Sequence, residues 1–295
     1  FSIGYARIQQ GSGGSLPSGL AIFGLRQNNV LVSEAAVPAS TPISNGRIYA
    51  EVGNNVDTGI AIANPNSATV TVVFYFTDLN GQTTSTTSLT IPANGQIARF
   101  LNQSPFNGPS PVLGSFTLAA SQPLAAIALR GFTNERGEFL LTTLPVADLS
   151  VAADTEAILF PHFADGGGWT TQILLVNTTD GAMTGSIQFA GLPPQNYSIT
   201  PRSAVRIATP GTAVGTLTGS ARLVPAAGTN TPVGVAVFSY KKVGVTVTEA
   251  GVLALRAAPA FRLYAESSGV AGQAGSIRTG IAIANPSSIS TNVLF

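Results

Sequence analysis

Apolar and polar residues alternate with a period of two along most of this chain. The clearest run is 69–76, where β-branched and aromatic residues lie between an Asn-Pro pair and the turn sequence Asp-Leu-Asn-Gly. Alternation bounded by turn residues predicts short β-strands, and the 3.6-residue period of an amphipathic helix is nearly absent. The pattern therefore predicts an all-β chain.

Turn residues divide the region from residue 58 onward into about eight strands within roughly 110 residues. That number and spacing are typical of a β-sandwich of immunoglobulin-like dimensions. The predicted strands are the octapeptide 58–65 and the segments 69–76, 83–91, 96–101, 115–119, 124–130, 138–144 and 156–160.

The same octapeptide, Thr-Gly-Ile-Ala-Ile-Ala-Asn-Pro, occurs at 58–65 and again at 279–286, with a looser copy at 171–177. The spacing between successive copies is the length of a domain and is longer than a solenoid or propeller unit. We therefore predict tandem domains of about 110 residues each. The predicted boundaries are 1–57 for the C-terminal part of one repeat, 58–170 and 171–278 for complete repeats, and 279–295 for the N-terminal strands of another.

Other segments repeat at a longer interval. Residues 18–37 match 233–252 without a gap, and 47–51 match 262–266 at the same offset. The first and third repeats resemble each other more than the middle one. This indicates an alternating two-domain repeat of about 220 residues.

The two ends of the chain are predicted to be complementary parts of one sandwich. One interpretation is that the chain is a window from a longer array, and its start at Phe1, without Met or a basic segment, fits a processed or partial protein. The other is that the ends of neighbouring copies complete a shared sandwich by strand addition. The candidate assembly residues are Phe1, Thr279, Ile281, Ile283, Asn285, Pro286 and Phe295.

Composition narrows the classes of function. The net charge is +1 without a run of Lys or Arg, so neither nucleic acid nor an anionic membrane surface is an expected partner. No apolar run approaches the roughly 18 residues of a spanning helix, so membrane insertion of this segment is not expected. The chain has no Cys, which excludes disulfides and thiolate metal sites. A charged fraction of only 9% suits an extracellular protein that buries its surface against copies of itself.

One histidine, His162, lies near Asp165 and could act as a general base. No Gly-x-Ser-x-Gly nucleophile motif accompanies it, and the three glycines at 166–168 lack the Lys-Ser/Thr of a phosphate-binding loop. We therefore predict no catalytic residue, no cofactor and no enzymatic activity.

Calcium and glycan are the remaining candidate ligands. The turn 78–81 resembles only the start of a calcium loop, and the carboxylates near 134–138 and 154–156 are too few, so no metal site is predicted. Tyr75 and Trp169 are candidates for contact with a sugar.

The motifs TGIAIANPN, FTDLNG, IPANGQIARFL, ALRGFTNERGEFLLTTLPV and FPHFADGGGWTTQILLVN together resemble a repeat of large, uncharacterised secreted proteins of environmental bacteria. This resemblance covers nearly the whole chain. It implies a surface-displayed or extracellular array of immunoglobulin-like sandwiches, and it implies no catalytic residue.

These observations favour a non-enzymatic extracellular structural protein whose repeats build a fibre, stalk or sheath from copies of itself. The alternative is a surface adhesin that binds glycan or a host surface through its loops. A hydrolase would require His162 in a cleft.

Overall fold

The computed structural model describes residues 4–295, and in that range it contains β-strands and no helix. The prediction of an all-β chain is confirmed. No helix that is long and apolar enough to cross a membrane occurs among these residues.

The first element is a hairpin of β1 (Leu20–Gln27) and β2 (Val30–Pro38), which we call the N-terminal hairpin. Asn28 and Asn29 connect the strands with φ values of 49° and 64°. Asn tolerates positive φ, and two such residues in a row form a turn whose twist matches that of the strands.

The next eight strands form unit 1, residues 43–148. One layer has the order β10-β3-β8-β5-β6 and the other the order β7-β4-β8-β9, and all these pairs are antiparallel. The strands are β3 (Ile43–Gly53), β4 (Val56–Ala63), β5 (Val70–Asp78), β6 (Thr87–Ile91), β7 (Gln96–Phe100), β8 (Val112–Thr133), β9 (Phe139–Leu144) and β10 (Ala147–Asp148).

Strand β8 differs from the prediction, which divided it into 115–119 and 124–130. It is one strand of 22 residues whose first half pairs with β3 and β5 and whose second half pairs with β4 and β9. The residues around Pro123 behave as an irregularity and not as a turn, because the chain crosses from one layer to the other without reversing direction.

Eight further strands form unit 2, residues 158–253. Its layers have the orders β11-β16-β13-β14 and β15-β12-β17-β18, so β16 and β17 take the places of the two halves of β8. The strands are β11 (Ile158–Asp165), β12 (Trp169–Val176), β13 (Met183–Phe189), β14 (Gln195–Ile199), β15 (Ala204–Ala208), β16 (Leu217–Pro225), β17 (Val233–Lys242) and β18 (Val245–Leu253).

Each unit has an apolar core between its layers, which is a β-sandwich-like arrangement. In unit 1 the rings of Phe74, Phe106 and Phe116 lie 5.4–5.5 Å apart. In unit 2, Phe163 and Phe189 lie 5.2 Å apart with an edge-to-face angle of 74°.

The predicted repeats have nearly the same spacing as the strand groups of the structure but begin one strand later. The predicted starts at 58 and 171 fall in β4 and β12, whereas the groups 43–148 and 158–253 begin at β3 and β11. Strand β3 belongs with β4 because the two form a hairpin and both pair with β8. After unit 2 the chain is largely irregular, apart from the short pair β19 (Ser267–Ser268) and β20 (Ile277–Arg278).

Candidate assembly interface

Strand β12 of unit 2 is buried on both faces. Ile173 and Leu175 point into the core of unit 2, whereas Leu174 and Val176 belong to the core cluster of unit 1. Alternate residues of a strand face opposite sides of the sheet, so this sheet contacts its own sandwich on one side and unit 1 on the other. The same is true of the neighbouring strands, which add Ala204, Val235 and Val237 to the cluster of unit 1.

An arginine from unit 1 crosses this junction. Arg47 on β3 is only 3% exposed. Its guanidinium donates to the Oγ1 of Thr117 at 2.8 Å, to the carbonyl oxygen of Asn177 at 2.8 Å and to the Oη of Tyr75 at 3.4 Å. Burial lowers the pKa of Arg47, and the contact with the Tyr75 hydroxyl acts in the opposite direction. The three acceptors compensate for the removal of this charge from water.

A second polar contact lies two residues along β3. The Tyr49 hydroxyl donates to Oε2 of Glu51 at 3.1 Å, and Arg206 of β15 donates to Oε1 of the same carboxylate at 2.8 Å. Burial, together with the adjacent Glu51 carboxylate, raises the pKa of Tyr49 far above its ordinary value. Both oxygens of Glu51 are therefore used, one within unit 1 and one by unit 2.

A buried ion pair joins the units at the end of the junction near β9. Arg130 and Glu249 form a salt bridge with both side chains 3% exposed, and Ser239 donates to the other carboxylate oxygen at 2.8 Å. The guanidinium carbon of Arg130 also lies 5.6 Å from the ring centre of Phe132.

Next to this pair is a cavity of about 270 Å³ between the units. Two buried polar atoms of residues that line it, Nε of Arg130 and Oε1 of Gln172, have no hydrogen-bond partner in the described part of the chain. Buried polar atoms of this kind are normally satisfied by water or a ligand.

The rim of the junction carries exposed charge. Lys241 donates to Oε1 of Glu135 at 2.8 Å and the Thr246 amide donates to Oε2 at 2.7 Å. The hydrogen bond from Lys241 and the one from Thr246 lower the pKa of Glu135 to about 2. The amide of Asn134 also donates to the Thr246 carbonyl at 2.8 Å.

Strand β9 lies between two equivalent strands. On one side the Leu141 amide donates to Oγ of Ser33 in β2 at 2.7 Å, and the Thr143 hydroxyl donates to the carbonyl of Ala36. On the other side β9 packs against β18. Strands β2, β9 and β18, which each pair with an equivalent strand of successive groups, thus contact one another in series.

The octapeptide copies occupy different environments. Ile60 and Ile62 are 2% and 0% exposed, whereas their counterparts Ile281 and Ile283 are 55% and 49% exposed. Of the other candidate assembly residues, Thr279 donates its amide to Glu266 and Asn285 bonds within its own turn, while Phe295 is 98% exposed. Pro286 lies near Arg222 and Arg256 at a second, shallow cavity, and Phe1 lies outside the described residues.

The residues considered for catalysis are not arranged as a dyad. His162 is exposed and its ring stacks 5.6 Å from that of Phe238. The buried Asp165 carboxylate instead accepts backbone amides from Gly211 at 2.6 Å and Ala213 at 3.3 Å.

The residues considered for calcium also have local partners. Asp78 accepts the amides of Asn80 and Gln82 within its turn, and Asp154 and Glu156 both pair with Arg256. Among residues 4–295, no group of three or more His, Asp or Glu side chains is placed to hold a metal ion.

The aromatic candidates lie in different places. Tyr75 is half-buried against Arg47 at the junction, whereas the half-buried Trp169 packs against the core of unit 2 and stacks on Tyr240 with 4.7 Å between ring centres.

Sequence reasoning did not find the contacts of Arg47, Glu51 and Arg206. The available signal was the recurrence of Arg-x-Tyr-x-Glu at 47–51 and 262–266, which places charged side chains on the face of a strand opposite the core.

No protein-family model matches the chain, and no curated protein sequence is significantly similar to it.

Proposed function

We propose that this chain is a non-enzymatic extracellular structural protein whose tandem immunoglobulin-like sandwiches stack into a fibre, stalk or sheath. The observation that carries this proposal is the apolar junction, where Leu174 and Val176 of unit 2 complete the core of unit 1. Domains joined by a flexible linker usually meet through smaller and more polar contacts.

The junction favours a rigid stack over a flexible string of domains. Burying a Leu or Val side chain contributes about 1.5–3 kcal/mol each, and the polar contacts of Arg47 and Glu51 orient the two sheets. Bending the chain at this point would expose both the apolar and the charged groups to water. A filament built from such stacks would resist bending.

The composition supports copies of the same chain as the partner, and the motif resemblance supports an extracellular location. A charged fraction of 9% leaves few repulsive groups on the surface, which suits contact with copies of the same chain. The motif resemblance to secreted bacterial repeats supports an extracellular or cell-surface location.

Electron microscopy of the purified protein over a range of concentration and salt tests this proposal. We expect filaments or sheets whose repeat along the axis matches stacked sandwiches. Dispersed monomers under all conditions would contradict it.

A second candidate function is glycan binding, and the observation that favours it is the junction cavity. Arg130 and Gln172 present unpartnered polar atoms there, and Phe132 supplies an aromatic ring among the lining residues. Sugars are commonly bound by aromatic faces together with a few polar groups. Glycan-array binding that is lost in Phe132→Ala and kept in Phe261→Ala, a change at an exposed aromatic of the C-terminal segment, would favour an adhesin, and a blank array would exclude it.

A further inference from the structure

The cavity beside the Arg130–Glu249 pair lies between the two units and is lined by both. Unit 1 contributes Arg130 and Phe132, and unit 2 contributes residues that belong mainly to β12, β17 and β18. A molecule held in this cavity would contact both units at once. Its binding would therefore stabilise the stacked arrangement of the units relative to a separated one.

The unit 2 side of the cavity is the polar half of a sheet face whose other half is apolar. Alternate residues of a strand share one face, and on β12 the residues that face unit 1 are Thr170, Gln172, Leu174 and Val176. Leu174 and Val176 enter the core of unit 1, whereas Thr170 and Gln172 line the cavity. Strand β17 changes in the same way, from valines in that core to Ser239 at the cavity. The face thus becomes polar where the cover of unit 1 ends and the cavity begins.

Two lining side chains have hydrogen-bonding atoms that the protein does not use. Arg130 is 3% exposed, and its Nε has no partner among residues 4–295. The Oε1 of Gln172 is also buried and without a partner in that range. The first atom is a donor and the second is an acceptor. A ligand that satisfies both must supply an acceptor and a donor, and hydroxyl groups supply both.

The charges around the cavity favour a neutral ligand. Arg130 is paired with Glu249, and the ammonium of Lys241 lies 2.8 Å from Oε1 of Glu135. Each of these cations thus has a counter-ion already. An anion could accept from Arg130, but it would leave the Gln172 oxygen without a donor and would exchange its own hydration for cations that are already paired.

The volume of the cavity limits the size of the ligand. It measures about 270 Å³, whereas an apolar cavity of about 150 Å³ can hold benzene. A single six-membered ring with hydroxyl substituents therefore fits, and a longer oligosaccharide would extend beyond the cavity. The ring of Phe132 adds an apolar surface for the carbon atoms of such a ligand.

We propose that this cavity binds a neutral polyhydroxy compound with one six-membered ring, such as a free hexose, and that the bound molecule clamps unit 2 onto unit 1. One hydroxyl of the ligand accepts from Nε of Arg130, and another donates to Oε1 of Gln172. The inference rests on the stacked junction of the proposed structural function and adds a small molecule that strengthens this junction. It differs from glycan adhesion because the ligand links two units of the same chain.

Titration followed by nuclear magnetic resonance tests the class of ligand. The probes are glucose, galactose, mannose and myo-inositol, and sulfate is the anionic comparison. We expect saturable shifts of the Thr170 and Gln172 signals with at least one probe, at a dissociation constant of about 1–10 mM, which is ordinary for a ligand of this size. Sulfate should give no saturable shift. The lack of a saturable shift with all four probes, or equal binding of sulfate, would overturn the inference.

A substitution on the unit 2 side has a matched control. Because Oε1 of Gln172 has no partner in the described part of the chain, Gln172→Leu should leave the urea midpoint of the free protein unchanged. Its affinity for the probe, followed through Thr170, should fall at least about fivefold, as expected for one lost hydrogen bond. Gln195→Leu, at a half-buried glutamine of β14 in the other layer of unit 2, should keep the affinity of the unsubstituted protein. Equal affinities of the two variants would contradict the site.

A substitution on the unit 1 side tests the clamp. Phe132→Leu keeps an apolar side chain but removes the ring, so the affinity for the probe should fall at least about threefold. An unchanged affinity would show that unit 2 binds the probe alone, and it would contradict a ligand that joins the units.

The ligand and the structural function fail separately. Filaments from a protein that binds none of the probes would leave the structural function in place and exclude this ligand. Probe binding by a protein that stays dispersed in the microscope would support the cavity as a binding site and contradict the fibre.

Discussion

The clearest test of how the repeated octapeptide stabilises the fold concerns Asn64, the asparagine next to its end. This side chain is fully buried. Its amide donates to the carbonyl oxygens of Ala68 at 2.8 Å, Ile91 at 3.0 Å and Pro92 at 2.9 Å, and its Oδ1 accepts the Asn66 amide at 3.0 Å. One side chain therefore joins the end of β4 to the turn that follows it and to the end of β6.

Replacing Asn64 by Ala removes these bonds and leaves buried carbonyl oxygens without a donor. A hydrogen bond contributes about 1 kcal/mol net, and each buried group left unsatisfied costs about 1–3 kcal/mol. Because the two N–H groups of the amide are shared among three acceptors, the individual costs do not add in full. We therefore expect the free energy of unfolding to fall by about 3 kcal/mol.

The chain contains its own control. Asn285 occupies the same place in the second octapeptide and makes the same turn, with its amide donating to Ile289 at 2.7 Å and its Oδ1 accepting the Ser287 amide at 3.0 Å, but its surroundings are exposed. Asn285→Ala should change the stability by less than about 0.5 kcal/mol, as is usual for surface substitutions.

Urea denaturation followed by circular dichroism measures both variants, with unchanged m-values required for the comparison. Asn177→Ala repeats the test in unit 2, where the amide donates to Gly181 at 2.7 Å and Thr200 at 2.9 Å. Equal effects at Asn64 and Asn285, or a loss below about 1 kcal/mol at Asn64, would refute the argument that tertiary acceptors give this residue its importance.

Three further outcomes are expected at the junction. Glu249→Ala leaves Arg130 buried without a counter-ion and should lower the unfolding free energy by about 3–5 kcal/mol, and combining it with Arg130→Met should recover most of that loss; thermal unfolding of these two variants beside the unsubstituted protein decides this. The pKa of Glu135 is lowered to about 2 by Lys241 and the Thr246 amide, so its stabilising contribution is present above the unfolded pKa of about 4.3 and lost as the pH falls towards 2. Glu135→Gln should therefore flatten the decline of the urea midpoint below about pH 4.5, and an unchanged acid profile would count against the contact. Leu174→Ala should cost about 2–5 kcal/mol and separate the melting of the two units in calorimetry, and a single shifted transition would show that other contacts couple them.

The sequence predicted local structure well where the hydrogen-bond partners are neighbours in the chain. The Asp78 turn forms where turn residues predict it. The division of β8 into two strands was wrong, because the change of layer near Pro123 depends on β3 and β4 and not on a local turn signal.

The interface could not be predicted from the sequence either, because it too depends on residues that are distant in the chain. Leu174 and Ile173 are adjacent and equally apolar, and only the packing of unit 2 on unit 1 decides that one enters the core of each. In the sequence, Arg47 and Glu51 have the pattern of solvent-facing charges on a strand. In the structure, the sheet of unit 2 covers them.

The octapeptide separates most clearly what the sequence determined from what the tertiary structure decided. By itself the sequence determined the Asn-centred turn, which recurs after residues 64, 177 and 285 because every partner in it lies within four residues. The tertiary structure alone decided the burial of its isoleucines. Ile60 and Ile62 are covered because they share a core with residues of the facing layer such as Val72 and Phe116, and Ile281 and Ile283, in the same eight letters, are exposed because burial requires partners that are distant in the chain.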